Sequence, residues 1–232
     1  MTSKVAIVTG ASQGIGAELV PAYRKLGYSV VAVSRSVEPS GDPEVLAIRA
    51  DLSRPGEGAR VVREALARFG RVDSLVNNAG VFVAKPFTEY TDEDFANVVG
   101  TNLAGFFDIT RSAVAAMGEA GHVVNVSTSL VDHALSAVPS ALASLTKGGL
   151  NAVTRSLAVE YAARNIRFNT VALGIIKTPM HAPETHEALA GLHPAGRIGE
   201  ISEVVDAITF LEQAGFVTGE VLHVDGGQSA GH

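Results

Sequence analysis

Apolar positions along the chain follow two alternating periods. Continuous runs recur at Val5 to Val8, Ser29 to Ser34, Val45 to Ala50, Asp73 to Asn77, His122 to Ser127, Ile166 to Ala172 and Glu220 to Val224. Short unbroken runs rich in β-branched residues predict strands buried on both faces. Between them the spacing turns helical: Gly14 to about Leu26, Arg54 to Phe69, about Thr91 to Met117, about Pro139 to Arg164, and Ile201 to Gln213. In the second of these, Val61, Val62, Leu66 and Phe69 share one side. Strands alternating with helices predict an α/β fold, a doubly wound parallel sheet with helices on both faces, in a single domain over residues 1–232. Such sheets bind ligands at the carboxyl ends of their strands, near the switch in strand order. Thr9-Gly10, Ser34-Arg35, Asp51, Asn77-Asn78 and Ser127 all fall at predicted strand ends and would line that edge.

Composition narrows the partners. With 232 residues, 47% of them hydrophobic, the chain can bury one large core. It has no cysteine, which excludes disulfides, thiolate metal sites and a cysteine nucleophile. The net charge of −6 is spread over interspersed acids and bases, and no basic run points to nucleic acid or a membrane surface. No apolar stretch has transmembrane length, and the first strand starts too early for a signal peptide. A cytoplasmic location is expected.

Candidate chemistry begins at the first crossover, Val5-Ala6-Ile7-Val8-Thr9-Gly10-Ala11-Ser12-Gln13-Gly14-Ile15-Gly16. Strand, glycine turn and helix together suit a phosphate. Glycines let the backbone approach closely, and unpaired N–H groups at the helix start attract negative charge. The spacing is Gly-x-x-x-Gly-x-Gly, and its alternative reading is a tight strand-to-helix turn. After the second strand, where NAD-binding folds place an acid for the ribose, the chain reads Ser34-Arg35-Ser36. A guanidinium and hydroxyls suit an added 2′-phosphate, so NADP is favoured over NAD. An ordinary exposed arginine is the alternative, and neutral Gln13 brings no second cation. Asp51-Leu52 ends the third strand. Its carboxylate suits an adenine amine and its leucine the ring, or Asp51 is a turn residue capping Ser53.

Several segments then resemble the short-chain dehydrogenase/reductase family: Thr9 to Gly16, Asn77-Asn78-Ala79-Gly80, Thr101-Asn102-Leu103, Ser156 to Glu160, and Thr218 to Gly227. The resemblance spans nearly the whole chain, in order. It implies a Rossmann-type sheet of about seven strands, an NAD(P) cofactor, a small-molecule carbonyl or alcohol substrate, and a homodimer or homotetramer. By this resemblance Gly10, Ser12, Gln13, Gly14, Ile15 and Gly16 hold the pyrophosphate, and Asn78, Ala79 and Gly80 face the adenosine side. Asn102 is assigned to a kink and a proton-relay water, or is a helix-interior amide bonded to its own backbone. Ile176 main chain and Thr178 would meet the nicotinamide carboxamide and phosphate.

The family's chemistry needs a serine hydroxyl, a tyrosine and, four residues later, a lysine that binds the nicotinamide ribose and lowers the tyrosine pKa. Lys147 is present. The tyrosine position is Ala143, and the chain's tyrosines are Tyr23, Tyr28, Tyr90 and Tyr161. The serine position falls on Thr128, with Ser127 and Ser129 as neighbouring hydroxyls, or this is a strand-end serine/threonine turn. The segment that follows carries about two extra residues, among them His133, a candidate substitute acid with Asp132 to orient it, or a surface loop histidine. His181 to Arg197 should form a polar lid over the substrate, with Met180, Leu189 and Leu192 as an apolar wall. A metal site from His181, His186 and His193 matches no known ligand spacing. Two functions remain open: an NADP(H)-dependent oxidoreductase with a non-standard proton donor, and a nucleotide-binding protein without redox turnover.

Overall fold

The apolar runs pair into one sheet. In the computed structural model, which describes residues 3–231, seven parallel strands stand in the order β3-β2-β1-β4-β5-β6-β7. They are β1 (Val5–Thr9), β2 (Ser29–Ser34), β3 (Val45–Arg49), β4 (Ser74–Asn77), β5 (Gly121–Thr128), β6 (Ile166–Leu173) and β7 (Val221–Val224). The ends of the expected 1–232 domain lie outside the described residues. Helices are α1 (Gly14–Lys25), α2 (Glu57–Phe69), α3 (Asp92–Val99), α4 (Phe106–Ala116), α5 (Ala141–Glu160), α6 (His186–Ala190) and α7 (Ile201–Gln213).

Both faces of the sheet are covered, which is why its strands read as unbroken apolar runs. Alternate residues of β1 serve opposite cores. Val5 and Ile7 pack with Val61, Ile109 and Ala158 on the side of α2, α4 and α5. Ala6 and Val8 pack with Leu19, Val204 and Ile208 on the side of α1 and α7. The order of strands reverses at β1, which pairs with β2 on one side and β4 on the other. A crevice for a ligand therefore opens at the carboxyl ends of β1 and β4. No helix among the described residues is long and apolar enough to cross a membrane.

Two helices differ from the expected spans. The pattern over Arg54 to Phe69 becomes helical only at Glu57, because Gly56 takes a left-handed φ of 83° and breaks the ladder. The stretch Thr91 to Met117 is not one helix. A Thr91–Asp94 capping box starts α3, a π turn over Gly100–Gly105 interrupts it, and α4 continues to Ala116. Helical periodicity persists through a wide turn that adds a residue, so the sequence pattern hides it.

Candidate functional site

The glycine turn is built around Thr9. Its hydroxyl donates to Val76 O at 3.1 Å and accepts the N–H groups of Asn78 and Ala79 at 3.0 and 2.9 Å. Asn78 Nδ2 donates back to Thr9 O at 2.9 Å, so the ends of β1 and β4 are clasped side by side. The turn is tight enough to require glycine. A Cβ on Gly16 would lie 2.2 Å from Gly10 O and 2.7 Å from Asn78 Nδ2. At the start of α1, Gln13 makes no side-chain cap and the first turn holds no acid. Its leading N–H groups are thus left for an external anion.

From this turn a cleft of about 330 Å3 runs along the sheet edge. Ser12, Gln13 and Ile15 form one wall, and the cleft passes Ser34–Ser36 and Asp51–Leu52 before reaching Asn78–Val81 and Thr178. Arg35 is exposed on its rim. Asp51 accepts from Ser53 Oγ at 2.7 Å and Ser53 N at 3.2 Å. Chiefly that hydroxyl bond, with smaller help from Arg54 and Arg35, holds its carboxyl below the ordinary value. Asp51 is therefore a turn residue and a cleft residue together.

Ile15, Asn78, Gly80, Val81, Thr178 and Met180 are shared with a second, mostly apolar cavity of about 330 Å3. Phe82, Leu130, Leu135, Val138, Leu189 and Leu192 line it, so the expected apolar wall is present and extends further. Lys147 enters it from α5. Its Nζ donates to Val126 O at 2.7 Å, and burial pulls its pKa from 10.5 down to about 8. Gly80 packs closely beneath it: a Cβ there would lie 2.9 Å from Lys147 Nζ and 3.3 Å from Asn102 Oδ1, so the lysine end and the amide would have to shift.

Three hydroxyls follow one another at the end of β5, and they do different things. Thr128 lines the cavity, and its Oγ1 accepts Leu130 N at 3.3 Å. Ser127, also on the wall, donates to Lys147 O at 3.3 Å. Ser129 is fully buried beside Leu173 O and Gln228 Oε1, both at 3.1 Å. Asn102 sits in the π turn, and its amide is not bonded to its own helix. Oδ1 accepts Val81 N at 2.9 Å, while Nδ2 donates to Val81 O at 3.0 Å and Thr146 Oγ1 at 3.2 Å. It thereby ties the strand-end segment at Val81 to the residue before Lys147.

The structure does not gather every expected group. His133 does not line the cavity, and Asp132 pairs with His223 of β7 at 3.0 Å. Ala143 is buried and also off the cavity wall. Ile176 O accepts Thr178 N at 2.8 Å, which shapes the turn carrying Thr178 beside Gly14. His193 is buried and accepts Ile175 N at 3.0 Å. His181, read from sequence as a lid residue and weighed as a metal ligand with His186 and His193, is on the cavity wall. Its place directly after the apolar Met180 was the available signal.

Sheet order, switch-point cleft and glycine turn define a Rossmann-type α/β protein. Residues 10–229 match the family model described as enoyl-(acyl carrier protein) reductase. An uncharacterised oxidoreductase of Methylorubrum extorquens is 35% identical over 245 residues, covering 98% of each chain. The protein belongs to the short-chain dehydrogenase/reductase family. Among solved structures, ElxO with NADP bound superposes with a TM-score of 0.92 at 29% identity, covering 99% of this chain and 100% of that one. A 3-ketoacyl-(acyl-carrier-protein) reductase from Brucella melitensis, complexed with NADH, gives 0.89 at 31% identity, over 97% and 98% of the two chains.

Proposed function

We propose that this protein interconverts a small apolar carbonyl and its alcohol by hydride transfer with NADP(H), using a proton donor other than a phenol. The observation that carries this reading is Lys147: a half-buried lysine on the wall of the apolar cavity, its ammonium beside Gly80, which that cavity shares with the nucleotide cleft. Bound there, the dinucleotide supplies or takes the hydride. Gly10, Ser12, Gln13, Gly14, Ile15 and Gly16 hold its diphosphate with the N–H groups of α1. Arg35 grips the 2′-phosphate, Asp51 and Leu52 flank the adenine, and Asn78, Ala79 and Gly80 face the adenosine side. Ile176 main chain and Thr178 meet the nicotinamide end, and Lys147 its ribose. Thr128 offers the substrate oxygen a hydroxyl, and Asn102 is a positioning residue.

The cavity selects its substrate by what it lacks. Among the described residues, no carboxylate and no arginine lines it, and its walls are largely aliphatic. A sugar would leave hydroxyls unpaired there, at a cost of about 1–3 kcal/mol for each buried group. An uncharged, partly apolar ketone of small to medium size suits it better. Loss of a phenolic acid forfeits about 10²–10⁴-fold in rate, whereas holding the reacting groups in place contributes about 7–11 kcal/mol. The larger contribution survives without the tyrosine. A specific observation favours a second reading: Ala143 presents a buried methyl at the tyrosine position, as in a protein that binds nucleotide without turnover.

NADPH oxidation over a panel of carbonyls separates the two. Turnover is expected with compact apolar ketones, and fluorescence titration should show NADPH bound roughly tenfold more tightly than NADH. Arg35→Ala should erase that difference. Equal affinities in the unaltered protein refute the NADP preference, and tight NADPH binding with no turnover on any carbonyl selects the second reading.

A further inference from the structure

Among the described residues, two titratable side chains line the apolar cavity, Lys147 and His181. No aspartate, glutamate or tyrosine does. Lys147 Nζ is already bonded to Val126 O, and the proposed function assigns it to the nicotinamide ribose. His181 reaches the same cavity from the lid, beside Met180. Its main chain is anchored: His181 N donates to Thr178 O at 3.0 Å, and His186 Nε2 lies 3.1 Å from His181 O. Thr178 and Met180 line both the cleft and the cavity, so His181 follows directly on the segment where the two spaces join.

We propose that His181 is the proton donor for carbonyl reduction and the acceptor for alcohol oxidation. The assignment rests on the hydride-transfer reading above. In reduction, the carbonyl carbon gains a hydride with its electron pair from NADPH, which is oxidised to NADP+. The C–O π pair moves onto oxygen. An imidazolium N–H bond breaks as the O–H bond of the alcohol forms. His181 is only partly buried, so solvent can restore its proton. Burial first, and then the neighbouring His186, pull its pKa below 6.5. Lys147 is the other charged group on the cavity wall. The two candidate donors therefore titrate apart, His181 below 6.5 and Lys147 at about 8.

The test is the pH profile of NADPH-dependent carbonyl reduction in the unaltered protein, His181→Gln and His181→Ala, with NADPH affinity measured by fluorescence in each. The unaltered protein should reduce faster as pH falls through the histidine range. His181→Gln should lose roughly a hundredfold in kcat and the low-pH limb, and keep its NADPH affinity. Added imidazole should restore part of the turnover of His181→Ala, an outcome that a merely structural role would not produce. The assignment is overturned if His181→Gln keeps its rate and low-pH limb, or if the unaltered profile turns only near the lysine value. NADPH binding without turnover in the unaltered protein would instead sink the hydride-transfer reading, and this assignment with it.

Discussion

Lys147 shows how much one side chain can cost the fold. Its side chain is half-buried, with the ammonium on Val126 O, and desolvation brings its folded pKa to about 8, below the ordinary 10.5. Between those values the unfolded chain binds the proton that the folded one releases, so stability rises with pH across that window. Below about 8 the burial penalty is present in full. Lys147→Met keeps the stem and removes the charge. It should raise stability at pH 7 by on the order of 1–3 kcal/mol, flatten the stability profile above pH 8, and abolish turnover. Thermal melts at pH 7 and pH 10 check this; an unchanged or lower midpoint at pH 7 would contradict it. The lysine itself was legible from Thr146-Lys147-Gly148-Gly149. Its bond to Val126 O and its seat over Gly80 were not, because both partners come from other strand ends.

At the scale of the element, the π turn between α3 and α4 is the departure with most consequence. Asn102 is almost wholly buried, and its amide closes a two-way bond with Val81 main chain. Gly100 and Gly105 flank it. Asn102→Ala would leave the N–H and C=O of Val81 without their partner. A stability loss of about 1–3 kcal/mol follows from the unpaired buried groups, read as a lower denaturation midpoint in urea. If the midpoint does not move, the clasp is not holding the segment. The motif Thr101-Asn102-Leu103 directed attention to this residue, but not to its partner 21 positions away.

At the scale of the whole molecule, the sheet's other, amino-terminal edge carries a polar cluster on the wall of a cavity lined by Tyr28, His122 and Glu212. Glu212 of α7 accepts from Tyr23 OH at 2.9 Å, Tyr28 OH at 2.7 Å, Ser74 Oγ at 2.8 Å and His122 Nδ1 at 2.9 Å. Asn169 Nδ2, at 3.1 Å, faces His122 Nε2 with a donor. Nε2 must therefore accept, and Nδ1 carries the proton given to Glu212. The imidazole is neutral, and burial pushes its pKa below 6.5. Burial alone would push Glu212 up; the bonds from His122, Tyr28 and Ser74 outweigh it and hold the carboxyl below its ordinary 4.5. Both shifts have one sign in linkage. Each folded pKa is depressed, so the unfolded chain takes up protons first as pH falls. The cluster's contribution is complete above about 6.5 and is lost on acidification, first through His122 and then through Glu212. Arg167, the nearby cation, donates to Leu211 O and Glu212 O and does not itself titrate in this range. Glu212→Ala leaves buried donors unpaired and should cost about 1–3 kcal/mol at pH 7 and shrink the acid slope, measured by urea titrations from pH 7 to pH 4. A variant as acid-sensitive as the unaltered protein would show that the slope arises elsewhere.

By itself the sequence determined the order of strands and helices, the α/β class, the glycine turn, Lys147 and the alanine four residues before it. Those signals are local: a hydrophobic period or a motif spacing needs no knowledge of what packs against it. Tertiary structure alone decided which titratable groups share a space. His133 and His181 both follow expected ligand-edge segments, yet only His181 lines the cavity. His122 and Glu212 meet across 90 positions. Such meetings depend on how helices seat on the sheet and where loops turn back, and packing of the whole chain sets both.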